Sequence, residues 1–252
     1  MDKLNLRLVS LAGAFAAFAA PGGFAQGQPV GWAPSYAGPV APAVELSGRN
    51  LNGWTLSGAN LKEAKLDYSV MRQVQAIAVN LEKADLTGAD MRGAVLTNAR
   101  LNDAIFSNAR LQGIRGDGAD FRSAKLHGAN LQDARMVGAN FERAELFIAR
   151  MELAEFGGAN FTDAQLDRAV LRGAVFDGAN FTDARLVRAD ITGASFRDAR
   201  FPGANLTNVI GFGEADFEGA CGSLTTLLPP DEHLPLCTPA QLTARLTAGR
   251  PQ

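Results

Sequence analysis

Large apolar residues recur at every fifth position from Leu46 to Leu206, and a small residue stands two places before most of them. Of the 33 centres in this frame, 31 are Leu, Phe, Met or Ile and 26 have Ala two positions earlier. The frame therefore belongs to the whole of residues 44–206, not to scattered stretches. A helix repeats its apolar positions at three and four residues and a strand at two, so neither gives a period of five. Short self-similar units of this kind predict stacked coils, each burying its apolar side only against its neighbours.

A longer period lies over the first. Every fourth centre tends to keep its identity, as in Leu61, Leu81, Leu101, Phe121, Phe141, Phe161, Phe181 and Phe201. That spacing predicts four pentapeptides, 20 residues, per coil and a square cross-section. Phenylalanines one coil apart then lie at the inter-strand distance of about 4.8 Å and stack along the rod. About eight coils at that rise give a rod about 40 Å long. A narrow interior holds one large and one small side chain per wall. The two centres without a large residue, Ala76 and Gly116, are matched by Val74 and Ile114 in the small slots, so volume is conserved. Arg49 and Trp54 occupy inward slots near the start and mark a cap or frayed first coil. Past Leu206 the phase slips by one, with Phe212 and Phe217 continuing it as the solenoid ends.

The consensus is Ala, then Asn or Asp, then Leu or Phe, a polar residue and Gly, as in Ala89-Asp90-Met91-Arg92-Gly93 and Ala129-Asn130-Leu131-Gln132-Asp133. Over about two-thirds of its length the chain resembles the pentapeptide repeat family. The resemblance implies an all-β solenoid, a right-handed quadrilateral β-helix with short parallel bridges as walls and tight turns as corners; the handedness comes from the resemblance alone. Glycines such as Gly58, Gly88, Gly138 and Gly178 are expected to supply positive φ at those corners.

The flanks differ from the repeat. Residues 1–25 read as an export signal: Lys3 and Arg7 precede an apolar run from Leu8 to Ala20, and small residues allow cleavage after Ala25 or Ala19. The apolar run, about 13 residues, is short of the roughly 20 a spanning helix needs, so no stable membrane insertion is expected once it is removed. Residues 26–43 hold Pro29, Pro34, Pro39 and Pro42 and read as a semi-rigid linker. The repeat domain is assigned to 44–221 and a capping tail to 222–252, with a helix over 239–248 that Thr238 caps. The tail either covers the last coil or, as in some members of the family, forms a homodimer.

Charge is nearly balanced, 24 Lys+Arg against 26 Asp+Glu, and loss of residues 1–25 leaves 22 against 25. No basic stripe suits phosphates and no acidic block imitates a duplex, which argues against nucleic acid as a partner. Some pentapeptide repeat proteins occupy a topoisomerase as nucleic-acid mimics. The export signal and bases such as Arg100, Arg110, Arg115, Arg135 and Arg150 disfavour that alternative. In an exported chain the two cysteines, Cys221 and Cys237, are expected to form a disulfide.

Catalytic chemistry finds no motif here. His127 follows a centre and should face solvent. His233, with Asp231 and Glu232, lies in a Pro-rich loop where adjacent ligands rarely converge on a metal. No catalytic, cofactor-binding or metal site is assigned. The outward positions hold one anomaly: Phe147, Ile148, Leu153 and Val187 are apolar where neighbours are polar, and form a candidate partner patch. The sequence thus reads as a non-enzymatic periplasmic or secreted structural or interaction scaffold whose partner is another protein.

Overall fold

The computed structural model describes residues 43–243; the signal, almost all of the linker and the end of the expected tail helix lie outside them. Every fifth residue forms an isolated parallel bridge with the residue twenty ahead, starting with Glu45–Lys65, Asn50–Val70, Thr55–Gln75 and Asn60–Asn80. These four series are the walls. The first runs through eight 20-residue steps from Glu45 to Asn205 before its spacing changes.

One pentapeptide shows why the consensus reads as it does. In residues 131–135 the Leu131 N–H donates to the Arg150 carbonyl at 2.6 Å and the Asp133 N–H to Glu152 at 3.0 Å, both in the next coil. The Arg135 N–H donates to Ile114 in the preceding coil at 2.8 Å, and the Ala134 N–H closes a turn onto Leu131 at 3.1 Å. The remaining amide, Gln132, donates to the Asn130 side chain at 3.0 Å. All five N–H groups are paired, as a buried backbone requires. Asn or Asp before the centre is therefore the group that satisfies the one amide the ladder misses. The same bond recurs at Asn80–Glu82, Asn140–Glu142, Asp190–Thr192 and Asp216–Glu218.

Each corner is a turn whose third residue alone has positive φ, the type II pattern. Glycine fills many of these positions, as expected. However, Glu63, Asp133, Ile148, Arg168 and Arg188 adopt the same conformation at φ between 51° and 60°. The inter-coil ladder imposes the corner whatever residue stands there.

Inside, the centres and their small partners form one continuous core, most of it with no exposed surface. Val74 and Ile114 are fully buried in their exchanged slots. Beside Gly116, the Met136 side chain leans into the space a methyl would take. Phe121, Phe141, Phe161, Phe181 and Phe201 form one column, with ring centroids 4.9–5.0 Å apart and planes within 11°. Phe156, Phe176, Phe196 and Phe217 form a second, at 5.1–5.2 Å. The columns meet edge to face at angles near 70°, as between Phe161 and Phe176. Both arrangements are favoured for aromatic pairs.

At the first coil Arg49 is exposed and Trp54 half-buried against the core. At the other end a 3₁₀ turn, Phe212–Glu214, inserts one residue, and bridge spacing grows from 20 to 21 at Ser195–Asp216. Cys221 and Cys237 are disulfide-bonded, and Gly222 bridges Leu236. Helix α1, Pro239–Thr243, begins as the sequence indicates. Thr238 Oγ1 accepts the Gln241 N–H at 3.3 Å and Gln241 Oε1 accepts the Thr238 N–H at 2.8 Å, a reciprocal capping box. Arg200 of the last regular coil donates to the Gln241 carbonyl at 2.6 Å and fastens this helix to the rod.

Candidate interaction surface

Outward side chains are sorted by coil and corner. The turns after Leu126, Leu146, Leu166 and Leu186 stack at one corner, so His127, Phe147, Asp167 and Val187 form a column there. Ile148, Arg168 and Arg188 form the column beside it. Three of the four proposed patch residues, Phe147, Ile148 and Val187, thus share a corner. Leu153 does not: its turn follows Met151 at the next corner, across the wall that carries Arg150. The Leu153 side chain, 66% exposed, packs onto the bare backbone of Gly173 in the following coil.

Phe147 is half-buried because two neighbours cover it. The His127 ring stacks on it at 5.2 Å and 17°, and the Arg168 guanidinium lies 5.9 Å from its centroid. Sequence reasoning placed His127 on the surface but not against this ring, since that pairing requires knowing which positions lie one coil apart. Phe147 and Val187 line a shallow depression with Asp167, Arg168, Arg185 and Arg188. Asp167 accepts two bonds from Arg185, both at 3.2 Å.

Elsewhere the carboxylates serve the walls. Asp90 accepts from Arg72 and from both Nε and Nη2 of Arg92, each at 2.8 Å. The Arg92 hydrogen bonds hold its carboxyl well below the usual carboxylate range, against the opposing effect of burial, and Arg72 adds to them. At Asp190 burial pushes the pKa up, but hydrogen bonds from Arg172 and Thr192 outweigh it and the net shift is downward. Asn60–Asn80 and Asn140–Asn160–Asn180 form amide ladders between coils at 2.9–3.1 Å. Among the described residues no three His, Cys, Asp or Glu side chains gather as metal ligands. His233, Asp231 and Glu232 are all exposed in the tail.

Two sequence families, both described as Pentapeptide repeats, match residues 77–114, 117–147 and 154–193 in eight copies and residues 176–221 in nine. Together they cover more than half of the chain. The chain belongs to the pentapeptide repeat family. Its fold is the family's right-handed quadrilateral β-helix. HetL, a pentapeptide repeat protein involved in heterocyst differentiation regulation from the cyanobacterium Nostoc sp. strain PCC 7120, is 28% identical. That similarity covers 77% of this chain and 90% of HetL at a TM-score of 0.62. QnrB1, a plasmid-mediated fluoroquinolone resistance protein, is 23% identical over 73% of this chain and 91% of its own, with a TM-score of 0.42. No curated protein sequence matches the chain at a significant level.

Proposed function

We propose that this pentapeptide repeat protein is a non-catalytic, exported interaction scaffold that acts in the periplasm or outside the cell. It meets another protein through the corner carrying Phe147, Ile148 and Val187. The observation that carries this reading is that corner itself: apolar side chains surface beside a depression on a rod whose interior is filled. Scattered exposed apolar groups are ordinary, whereas neighbours sharing one concavity mark a contact surface. Export rests on the pattern of residues 1–25 and accords with the Cys221–Cys237 bond, which an oxidising compartment sustains. HetL, involved in heterocyst differentiation regulation, supplies a regulatory precedent within the family. A nucleic-acid mimic would need an acidic face, yet outward bases stand on all four walls, at Lys125, Arg110, Arg115 and Arg100.

The test is capture from the extracytoplasmic fraction by the mature chain and by Phe147→Asp, each with and without residues 222–252. Capture should depend on Phe147 and survive tail removal; capture unaffected by Phe147→Asp would refute the surface. Fractionation with N-terminal sequencing of the recovered protein checks export. Full-length chain found only in the cytosol would refute the address.

A further inference from the structure

Arginines on this rod are mostly matched to carboxylates: Arg72 and Arg92 to Asp90, Arg122 to Asp120, Arg172 to Asp190 and Arg197 to Asp216. In the depression beside Phe147, Arg185 follows that habit with Asp167. Arg168 and Arg188 do not. Among the described residues neither has a carboxylate within ion-pair distance, although both line the depression. They hold the same corner position in successive coils, so their backbones are about one strand spacing, 4.8 Å, apart. Like charges set directly opposite each other oppose folding.

A second cost lies at the same place. Ile148 holds φ at 51° and is 40% exposed. Positive φ is a true outlier for a β-branched residue, and among the described residues Ile148 is the one β-branched residue that adopts it. Unmatched like charges, a strained isoleucine and a phenylalanine on the outside all sit within three successive coils. The contacts of Phe147 with His127 and Arg168 leave the charge of Arg188 and the backbone strain of Ile148 uncompensated.

We infer that this depression is the docking site for an acidic, extended peptide segment of the partner. Its carboxylates pair with Arg168 and Arg188, and an adjoining apolar side chain rests on Phe147 and Val187. The inference rests on the scaffold reading above and supplies its partner's chemistry. The charge complementarity is specific, because a guanidinium takes a carboxylate through two parallel N–H bonds. Glu145, exposed on the adjoining wall, repels an acid at that end. The acidic residues therefore register over Arg168 and Arg188, and the apolar residue over Phe147. A free phosphate would use the cations and leave the apolar floor wet.

The experiment uses the mature chain and fluorescence anisotropy with a short fluorescein-labelled peptide alternating Glu and Phe. Comparison probes are its Lys/Phe and Glu/Ser counterparts and vesicles of phosphatidylglycerol. The Glu/Phe peptide should bind best, and added salt should weaken it. The double variant Arg168→Glu/Arg188→Glu should bind it about tenfold or more weakly, and should still unfold cooperatively because both side chains are exposed. Failure of the Glu/Phe peptide to bind, equal binding of the Lys/Phe peptide, indifference to the charge reversal, or Arg-dependent binding of vesicles in place of peptide would each overturn the inference. Partner capture lost with Phe147→Asp but kept with the double arginine variant overturns it while leaving the scaffold reading intact. Capture indifferent to both overturns the two together.

Discussion

Ala139 has no exposed surface, and neither has Phe141 two residues on. Ala139→Leu should therefore overpack a coil that has coils above and below it, and destabilise by about 1–3 kcal/mol or more, as urea unfolding would measure. Ile148 works in the opposite direction. Its conformation suits Asn far better, and left-handed backbone costs an ordinary L-residue about 1–2 kcal/mol. Ile148→Asn should raise the melting temperature and weaken partner capture, the trade expected where a surface is kept for contact and not for stability. Asp90 links the walls to pH. Its folded pKa is depressed, chiefly by Arg92. It therefore adds stability above its unfolded pKa of about 3.9, and that contribution is lost as pH falls through the lower folded value. Stability measured from pH 7 downward should fall more steeply in the natural protein than in Asp90→Asn. Parallel curves would refute the role.

One coil gains little alone; the columns that run through many coils hold the rod together. Phe161 stacks on Phe141 and Phe181 at 5.0 Å and meets Phe156 and Phe176 edge to face. Phe161→Ala should cost about 3–5 kcal/mol, because rigid neighbours in both columns cannot close the hole. Phe161→Leu should cost less, since leucine fills the same column at Leu81 and Leu101. Much of this element was legible beforehand. Inward positions must alternate large and small, so the period of five and its fourfold multiple appear directly in residue identities. What stayed hidden was set by the ladder or by coil-to-coil placement. The positive φ of Arg168 and Arg188 contradicts local propensity and exists because hydrogen bonds to adjacent coils enforce it. The meaning of the recurrent Asn and Asp emerged only when one amide per pentapeptide lacked a backbone partner. The separation of Leu153 from Phe147 follows from corner assignment: five residues in sequence carry the chain to a different corner, while 20 return it to the same one.

A solenoid has two ends, and each exposes unpaired backbone and apolar surface unless something covers it. At the far end the inserted residue in the turn Phe212–Glu214 breaks the register, after which Cys221 still bridges Arg200 and Leu227 still bridges Asn205. The disulfide to Cys237 ties the returning segment of the tail to the Arg200–Cys221 rung, and Arg200 holds the capping helix. In this arrangement the tail covers Phe201 and Leu206, whose exposure is nil. A cross-link closing a loop of this size restricts the unfolded chain by about 3 kcal/mol, with sequence separation 16 between the cysteines. Replacing both cysteines by Ser should therefore lower overall stability by an amount of that order. Because solenoid stability is roughly a sum over neighbouring coils, the loss should be felt first at the C-terminal coils. Hydrogen exchange separates the cases. Amides of residues 196–221 should lose protection on cysteine replacement while those near residue 100 keep theirs; uniform loss along the rod would mean that the molecule unfolds as one unit and that the tail is no local cap.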